Sequence, residues 1–500
     1  MSEPLHNDSG DLARFGYRQE LKRSMGSFSS FAAGFSYISI LTGLFQTFYL
    51  GYGAAGPHFF WSWPMVLAGQ FIVALCFAEL AAEFPLSGGV YQWAKFLGSP
   101  AIGWITGWIY LACLTTSLAA VALALENSLP QISTWFQWVG TVQNPNDVAM
   151  NAVVLGCLLI SLSTLINAMG IRLLATINNI GVFAELAGII ILIVLLAVHA
   201  VRDPLAAVVF SEGNASVNGD GSTASGLNTL LAASALTAAY VMYGFDTAGS
   251  LAEETHDPRK RAPRAILQAL AAAGIAGLLV LLLSLMAVDD LFATEWGSAK
   301  GGLPLLIKTV LGEPLGKLFL CDVIFAIIVC ALAVQSGVVR LMFAMSRDNR
   351  LPFSTILGRV SPKTHTPVIA SIVCGIGASL ILVANLRFPK VIEIVISVAI
   401  LWANLAYLIV VTVMLFRRLK KSSQRTVHSN TFTMGKWGLP VNVLAVCWGS
   451  FMVINVAWPR AETYGTEWYN QWAALLYSLV LLTAGGSYYW FAHVKKKTMT

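Results

Sequence analysis

The chain is a succession of apolar runs, each about as long as a bilayer is thick. A helix needs about 20 mostly apolar residues to cross the hydrocarbon core of a membrane, and about twelve segments reach that length. We predict helical spans one to twelve at residues 28–50, 60–82, 102–125, 148–168, 177–198, 227–251, 266–288, 318–345, 368–384, 391–416, 441–458 and 472–491. The pattern predicts an all-α integral membrane protein.

The composition excludes most other classes of protein. Charged residues make up 11% of the chain, against about 25% in an ordinary soluble domain. The sequence contains no CxxC pair and no HExxH, GxSxG or GxxxxGK[ST] motif. We therefore expect no metal or other cofactor and no enzymatic activity.

Basic residues in the predicted loops indicate an orientation. With the N-terminus in the cytoplasm, 23 of the 31 lysines and arginines fall on the cytoplasmic side, seven fall outside, and Arg340 lies in a span. The positive-inside rule then places both termini in the cytoplasm. The net charge of +6 thus reflects membrane orientation, and no nucleic-acid partner is expected.

The span pattern also divides the chain into regions. We predict a cytoplasmic tail at 1–26, a transport core at 27–416, a cytoplasmic connector at 417–440, two further helices at 441–493 and a short tail at 494–500. The 201–226 loop, rich in Gly, Ser and Asn, is expected to be an exposed outer connector. We therefore predict a multi-pass protein of the cytoplasmic membrane, with the lipid bilayer as a partner.

Spans one and six contain residues that weaken a membrane helix. Span one carries Gly34, Ser36 and Ser39, and span six carries Gly244 next to Asp246. One interpretation is a packing face of small residues. The other is a pair of discontinuous helices whose freed backbone groups bind substrate or ion. Asp246 needs a cavity, a proton, a cation or a distant partner to lie at this depth.

Glu185 is a carboxyl in the middle of apolar span five. Burial favours the neutral form of such a group, so it could exchange a proton as the site opens and closes. The alternative is a structural carboxyl hydrogen-bonded to a neighbouring helix.

Charged residues also cluster at the predicted cytoplasmic ends of spans two and eight. Glu79 and Glu83 lie four apart on one helical face, and Arg340 and Arg347 approach the same side from span eight. A salt-bridge network between the two pairs could form an inner gate. The alternative is that these side chains extend their charged groups to the membrane surface and have no gating role.

Four stretches resemble one family in order and spacing. They are SFAAGFSYI (30–38), ELAAEFPLSGGVYQW (79–93), GFDT with EETHDP and APRAI (244–247, 253–258, 262–266), and RLMFA with SRD and LP (340–344, 346–348, 351–352). Together they resemble the amino acid–polyamine–organocation superfamily, within its amino acid/choline transporter branch. The matches run from about residue 20 to 365.

The resemblance implies a five-plus-five inverted repeat with discontinuous helices one and six, plus two C-terminal helices. It implies secondary active uptake of small amino compounds. The implied substrate-binding residues are Gly34, Phe35, Ser36, Tyr37, Tyr243, Phe245, Asp246 and Thr247. Some members carry a span-five lysine implicated in proton coupling, whereas this chain has Glu185 in that region and no lysine. That departure leaves the coupling ion open, with the buried Glu185 as the candidate proton site.

The leading hypothesis is a permease that imports a small amino acid or related amine, coupled to a proton. A second is a permease for choline, ethanolamine or another amine without a carboxylate. Aromatic rings would attract its cation, and they could be supplied by Phe35, Tyr37, Tyr240, Tyr243 and Phe245. A third is a sensor that binds solute without moving it.

Overall fold

The computed structural model describes residues 12–208, 230–232, 234–291, 293–298, 300–384, 391–420, 431–460 and 467–494, and it is a bundle of helices. The helices that form the spans are Ser27–Ile38 with Ile40–Ala55, Ser62–Glu83, Pro100–Ile132, Pro145–Met169, Ile171–Val198, Ser234–Ala238 with Ala239–Val241 and Thr247–Ser250, Pro258–Ala287, Glu313–Arg347, Val368–Ala384, Val391–Leu419, Gly438–Ala457 and Ala473–Tyr489.

The predicted membrane bundle is confirmed. Within the described residues, nine helical runs are long and apolar enough to cross a bilayer, and one of them, Ser27–Glu83, contains both span one and span two. The shorter apolar helices Leu230–Val241 and Val368–Ala384 take the places of spans six and nine. The chain is therefore a multi-pass membrane protein with about twelve spans.

Local sequence explains where the long helices begin. Span three starts after Ser99, whose hydroxyl accepts a hydrogen bond from the Ile102 amide, with Pro100 in the first turn. Span four starts in the same way after Asn144, whose side chain accepts from the Asn146 amide, with Pro145 in the first turn. Its outer face exposes Leu158 and other leucines to the surroundings, as expected of a helix whose solvent is lipid.

The helix contacts agree with two five-helix halves. Span three packs against span ten, and the corresponding helices of the other half, spans eight and five, pack against each other. Spans two and seven, which also correspond, pack on one another, as do spans three and eight. A repeat of five spans reverses the direction of the chain, so the second half is inverted relative to the first.

Two short helices supplement the spans. Gly89–Leu97 follows the turn at Gly88, a glycine with φ of 85° against which Ala344 of span eight packs. Gly302–Leu311, too short to be predicted as a span, packs against the second half of span one. The predicted connector at 201–226 lies largely outside the described residues, and so do residues 421–430 of the predicted connector at 417–440.

We call the end of the bundle formed by residues 12–25, 84–99, 252–264 and 346–366 the basic end. The N-terminal residues there are not a free tail. The side chains of Leu12, Leu21 and Met25 are buried, and the Ser24 and Met25 amides both donate to the Glu254 carbonyl, at 2.9 and 3.0 Å. The segment before span one is thus packed across the exit of span six.

Candidate functional site

Span one is interrupted at Ser39. This residue has a φ of 26°, which a side chain rarely adopts, and it separates Ser27–Ile38 from Ile40–Ala55. Its hydroxyl accepts from the Thr42 amide at 3.3 Å and so caps the second half-helix. The predicted break is therefore present, at the last residue of the predicted motif.

Gly34 lies inside the first half-helix, where it allows a close approach. A Cβ atom at Gly34 would lie 3.2 Å from the Ala269 Cβ and 3.7 Å from the Phe245 carbonyl oxygen. The small-residue interpretation thus fits Gly34 itself, while the interruption belongs to Ser39.

Span six is interrupted at Gly244. Its φ of 86° suits glycine, and a side chain there would collide with the Tyr37 ring of span one. The Gly244 amide donates to the Tyr407 hydroxyl at 2.8 Å, and the helix resumes at Thr247. The two broken helices therefore face each other across Tyr37 and Gly244.

Asp246 is held by two tyrosines from other helices. The hydroxyls of Tyr110 in span three and Tyr407 in span ten each donate to Asp246 Oδ1 at 2.5 Å. The three side chains are buried, with 1–2% exposure, and connect spans three, six and ten. A carboxylate at membrane depth thus has neutral hydrogen-bond donors, which lower the free-energy cost of its burial.

Aromatic rings pack against one another at the breaks. The rings of Tyr37 and Tyr243 lie edge to face at 5.8 Å, and those of Phe245 and Tyr407 lie 5.2 Å apart. The Tyr243 hydroxyl hydrogen-bonds Ser117 at 2.7 Å. The structure brings the eight predicted substrate-binding residues together at the breaks, and all are buried.

Glu185 caps the start of the second half of span one. Its Oε1 accepts from the Ser39 hydroxyl at 2.9 Å and from the Leu41 amide at 3.2 Å. Its side chain is 1% exposed. A carboxylate at a helix N-terminus is stabilised by the free amides and by the helix dipole. Glu185 is therefore in direct contact with the break of span one. Its position in span five does not by itself predict this contact.

Two bidentate ion pairs lie at the basic end. Arg340 donates to Glu254 from Nε and Nη2, both at 3.2 Å, and each side chain is 1% exposed. Arg347 donates to Glu253 at 3.0 and 2.9 Å. Both pairs join span eight to the exit of span six.

The partners predicted for the gate residues were wrong. Glu83 pairs with Arg417 at 3.0 Å, and Glu79 pairs with Arg418, so both bind the end of span ten. The two span-eight arginines instead bind Glu253 and Glu254. The sequence reasoning chose the glutamates on a visible helical face, whereas the acidic pair that follows the broken span six lies closer to span eight.

The N-terminal segment adds a second set of contacts around Asp348. The Tyr17 hydroxyl donates to Asp348 at 2.9 Å, and Lys95 pairs with the same carboxylate at 2.6 Å. The Arg347 guanidinium lies 4.0 Å from the centre of the Tyr17 ring, within cation–π range. Burial, with the Asp348 charge, raises the pKa of Tyr17, so this hydroxyl stays protonated at neutral pH.

Sequence reasoning missed Tyr110, Tyr407, Glu253, Glu254 and Asp348. The signal for the two glutamates was the buried Arg340, since an arginine at membrane depth needs a carboxylate partner. The signal for the tyrosines was weaker, because a tyrosine in an apolar span is usually a packing residue. Among the described residues, no group of three or more His, Cys, Asp or Glu is placed to hold a metal ion.

Comparison with known proteins places the chain among transporters. A family model described as amino acid permease matches residues 25–484. The chain is 27% identical to the Amino-acid permease BAT1 of Arabidopsis thaliana, over 97% of this chain and 94% of that protein. It is 28% identical to the Amino-acid permease 2 of Neurospora crassa, over 97% of this chain and 88% of that protein. The matched relatives are permeases and not enzymes, as the sequence predicted.

Proposed function

The chain belongs to the amino acid permease family, within the amino acid–polyamine–organocation superfamily, and we propose that it imports a small amino acid or related amine across the cytoplasmic membrane, coupled to a proton. The observation that carries the proposal is the meeting of two broken helices, at Ser39 and Gly244, beside two buried carboxyls. Broken helices at corresponding positions of two halves are where such transporters bind substrate and ion.

The proposed substrate site is the space between the breaks. Half-helix ends leave amides and carbonyls free to meet the carboxylate and the amine of an amino acid. The Ser36 hydroxyl is buried without a hydrogen-bond partner among the described residues, so it is available to a ligand. Two tyrosines occupy Asp246 Oδ1, and a substrate amine would approach the second oxygen.

Glu185 is the proposed proton site. Its carboxylate form is stabilised by Ser39 and by the first amides of the second half-helix of span one. Protonation removes that charge and weakens the contact, since hydrogen bonds to ionised groups are about twice as strong as neutral ones. Gain or loss of a proton at Glu185 would therefore change the stability of the break that binds substrate.

The basic end is proposed to be the cytoplasmic side, and its ion pairs the inner gate. The excess of lysine and arginine in the loops of this end supports the orientation. To open a path from the breaks to this side, span eight must separate from the span-six exit, which breaks the Arg340–Glu254 and Arg347–Glu253 pairs.

One observation favours a second candidate, a permease for amines that lack a carboxylate. The rings of Tyr37 and Tyr243 lie 5.8 Å apart, and the ring of Phe245 lies 5.2 Å from that of Tyr407, which donates to Asp246. Aromatic rings together with a carboxyl attract an alkylammonium cation. The choice between the two depends on whether the ligand must also carry a carboxylate.

A competition experiment in proteoliposomes tests the proposal. The twenty protein amino acids, γ-aminobutyrate, choline and ethanolamine are each supplied in labelled form, and the best is challenged with the others. Uptake of an amino acid or γ-aminobutyrate that choline does not inhibit supports the first candidate. Uptake of choline or ethanolamine in preference supports the second, and binding without uptake of any compound would contradict both.

A further inference from the structure

Asp322 is a carboxyl of span eight that the proposed function does not use. It lies five residues, or about 7.5 Å, beyond Lys317, the last basic residue before the apolar part of the helix. Its Oδ2 atom is buried and has no hydrogen-bond partner among the described residues. An acidic residue at membrane depth usually has a function.

The carboxyl of Asp322 packs against span five at Gly188, where no side chain intervenes. A Cβ atom at Gly188 would collide with Asp322 Oδ2, so only a glycine lets the carboxyl reach this position. Gly188 follows Glu185 by three residues and lies on the same face of the helix. Asp322 therefore meets span five within about one turn of Glu185.

The two carboxyls also interact electrostatically. The charge of Asp322 acts on Glu185, and among the described residues the Cys330 thiol of span eight is a further titratable group that faces it. That thiol donates to the Tyr37 carbonyl at 3.5 Å. Glu185 Oε2 has no hydrogen-bond partner among the described residues, so one oxygen of this fully buried carboxyl is available to accept a proton.

We propose that Asp322 is a second proton-binding residue that exchanges its proton with Glu185 and connects it to the end of the bundle opposite the basic end. Asp322 is less buried than Glu185. It lies in the first third of span eight, the part of that helix farthest from the basic end. The proton leaves the acid form of Asp322, which becomes a carboxylate, and binds a Glu185 oxygen, so atoms and charge balance. Two carboxyls that interact in a medium of low dielectric do not both ionise readily, so ionisation of one favours protonation of the other.

The inference rests on the proposed proton site at Glu185, but its first test needs no transport substrate. Infrared spectra of the parent in liposomes are collected over a pH titration with protons as the only ligand. Asp322→Asn should remove one carboxylic C=O signal and shift the midpoint of the Glu185 signal, which is identified by its loss in Glu185→Gln. Gly188→Ala removes neither carboxyl and should shift both, because the new methyl group displaces the flexible Asp322 side chain.

Matched controls separate this effect from general damage. Glu313→Gln removes an exposed carboxyl from the start of the same helix, where it pairs with Lys308 and Lys317. Gly486→Ala adds a methyl group in span twelve where nothing lies within 4 Å. Both controls should leave the two buried signals at their parental midpoints.

Transport gives the second readout. With a labelled mixture of the twenty amino acids, Asp322→Asn and Gly188→Ala should lower proton-driven accumulation at least fivefold and spare exchange without a gradient. An unshifted Glu185 midpoint in Asp322→Asn, or parental accumulation in that variant, would overturn the relay. Parental accumulation in Glu185→Gln would instead refute the proposed proton site, and the infrared midpoints would still decide whether the two carboxyls share a proton.

Discussion

The Ser39 hydroxyl donates a hydrogen bond of 2.9 Å to Glu185 Oε1 and so joins the break of span one to the only carboxyl described in span five. The same Ser39 oxygen caps the half-helix that follows the break. The candidate proton site and the candidate substrate site are thus neighbours through one side chain. A change of charge at Glu185 need not be transmitted over a distance to alter the geometry that binds substrate.

Glu185→Gln should separate exchange from accumulation. The amide keeps the shape and the hydrogen-bonding capacity of the side chain but carries no exchangeable charge, so substrate exchange should continue near the parental rate. A pH difference of one unit supplies about 1.4 kcal/mol per proton and sustains about tenfold accumulation in the parent. In the variant, accumulation driven by that gradient should fall to about onefold, measured with labelled substrate in proteoliposomes.

Asp246→Asn should weaken the binding of amine substrates. Hydrogen bonds to charged groups contribute about 1.5–3 kcal/mol, so the half-saturating concentration should rise about tenfold or more. Glu126→Gln is a matched control that should keep parental affinity. Glu126 is also a buried carboxyl, but it lies in span three and accepts from the Asn151 side chain of span four at 2.7 Å. Parental affinity in Asp246→Asn would refute the amine-site assignment.

Tyr407→Phe should act on the same site as Asp246→Asn. The substitution removes one of the two tyrosine donors to Asp246 and the acceptor of the Gly244 amide. Residues of one hydrogen-bond network give non-additive effects, so the double variant should bind little worse than Asp246→Asn alone. The half-saturating concentration is measured for each variant by uptake of labelled substrate into proteoliposomes. Additive losses would show that the tyrosine and the aspartate act independently.

Arg340→Ala should open the basic end. Removing one partner of a buried ion pair costs about 3–5 kcal/mol, enough to shift a balance between closed and open states. A cysteine at Ser336, one turn away on the same helix, should then react faster with a thiol reagent, in a background without native cysteines. Arg417→Ala, whose pair with Glu83 is about one third exposed, should leave the reaction rate nearly unchanged because such pairs contribute about 0–1 kcal/mol.

Cysteine labelling should establish the orientation of the bundle. Lys363 is exposed at the basic end, and Ser133 is exposed beyond the opposite end of span three. In intact cells, an impermeant reagent should label a cysteine at 133 and should label one at 363 only after permeabilisation. The reverse pattern would invert the proposed direction of the gate.

The sequence alone was sufficient for the membrane class. For spans one and six it left a small-residue packing face and an interrupted helix as alternatives, and the interruption was implied by the family resemblance. Long apolar runs allow few folds, because lipid leaves backbone groups no other partner than the helix itself. Glycines and hydroxyls at depth then indicated where the helices break. The sequence did not predict which residue of span one forms the break, since Gly34 and Ser39 both weaken a helix. The structure shows that Gly34 allows close packing against Ala269, and so the break is at Ser39.

Contacts between distant spans could not be predicted in the same way. Periodicity gives the face of a helix but not which helix it meets, and so Arg340 was assigned to Glu79 or Glu83. The true partners, Glu254 for Arg340 and Glu253 for Arg347, depend on where the chain turns after the broken span six. The pairing of Tyr110 and Tyr407 with Asp246 has the same origin, because the three residues come from three different spans.

Proton movement during transport tests the central proposal most directly. Proteoliposomes that contain a pH-sensitive dye are prepared with no initial ion gradient, and the substrate selected by the competition panel is added outside. The proposal predicts that substrate entry acidifies the lumen in the parent, while Glu185→Gln, whose exchange activity is measured separately in vesicles loaded with substrate, gives no acidification. Substrate entry that leaves the luminal pH of the parent unchanged, and that a sodium gradient accelerates, would contradict it.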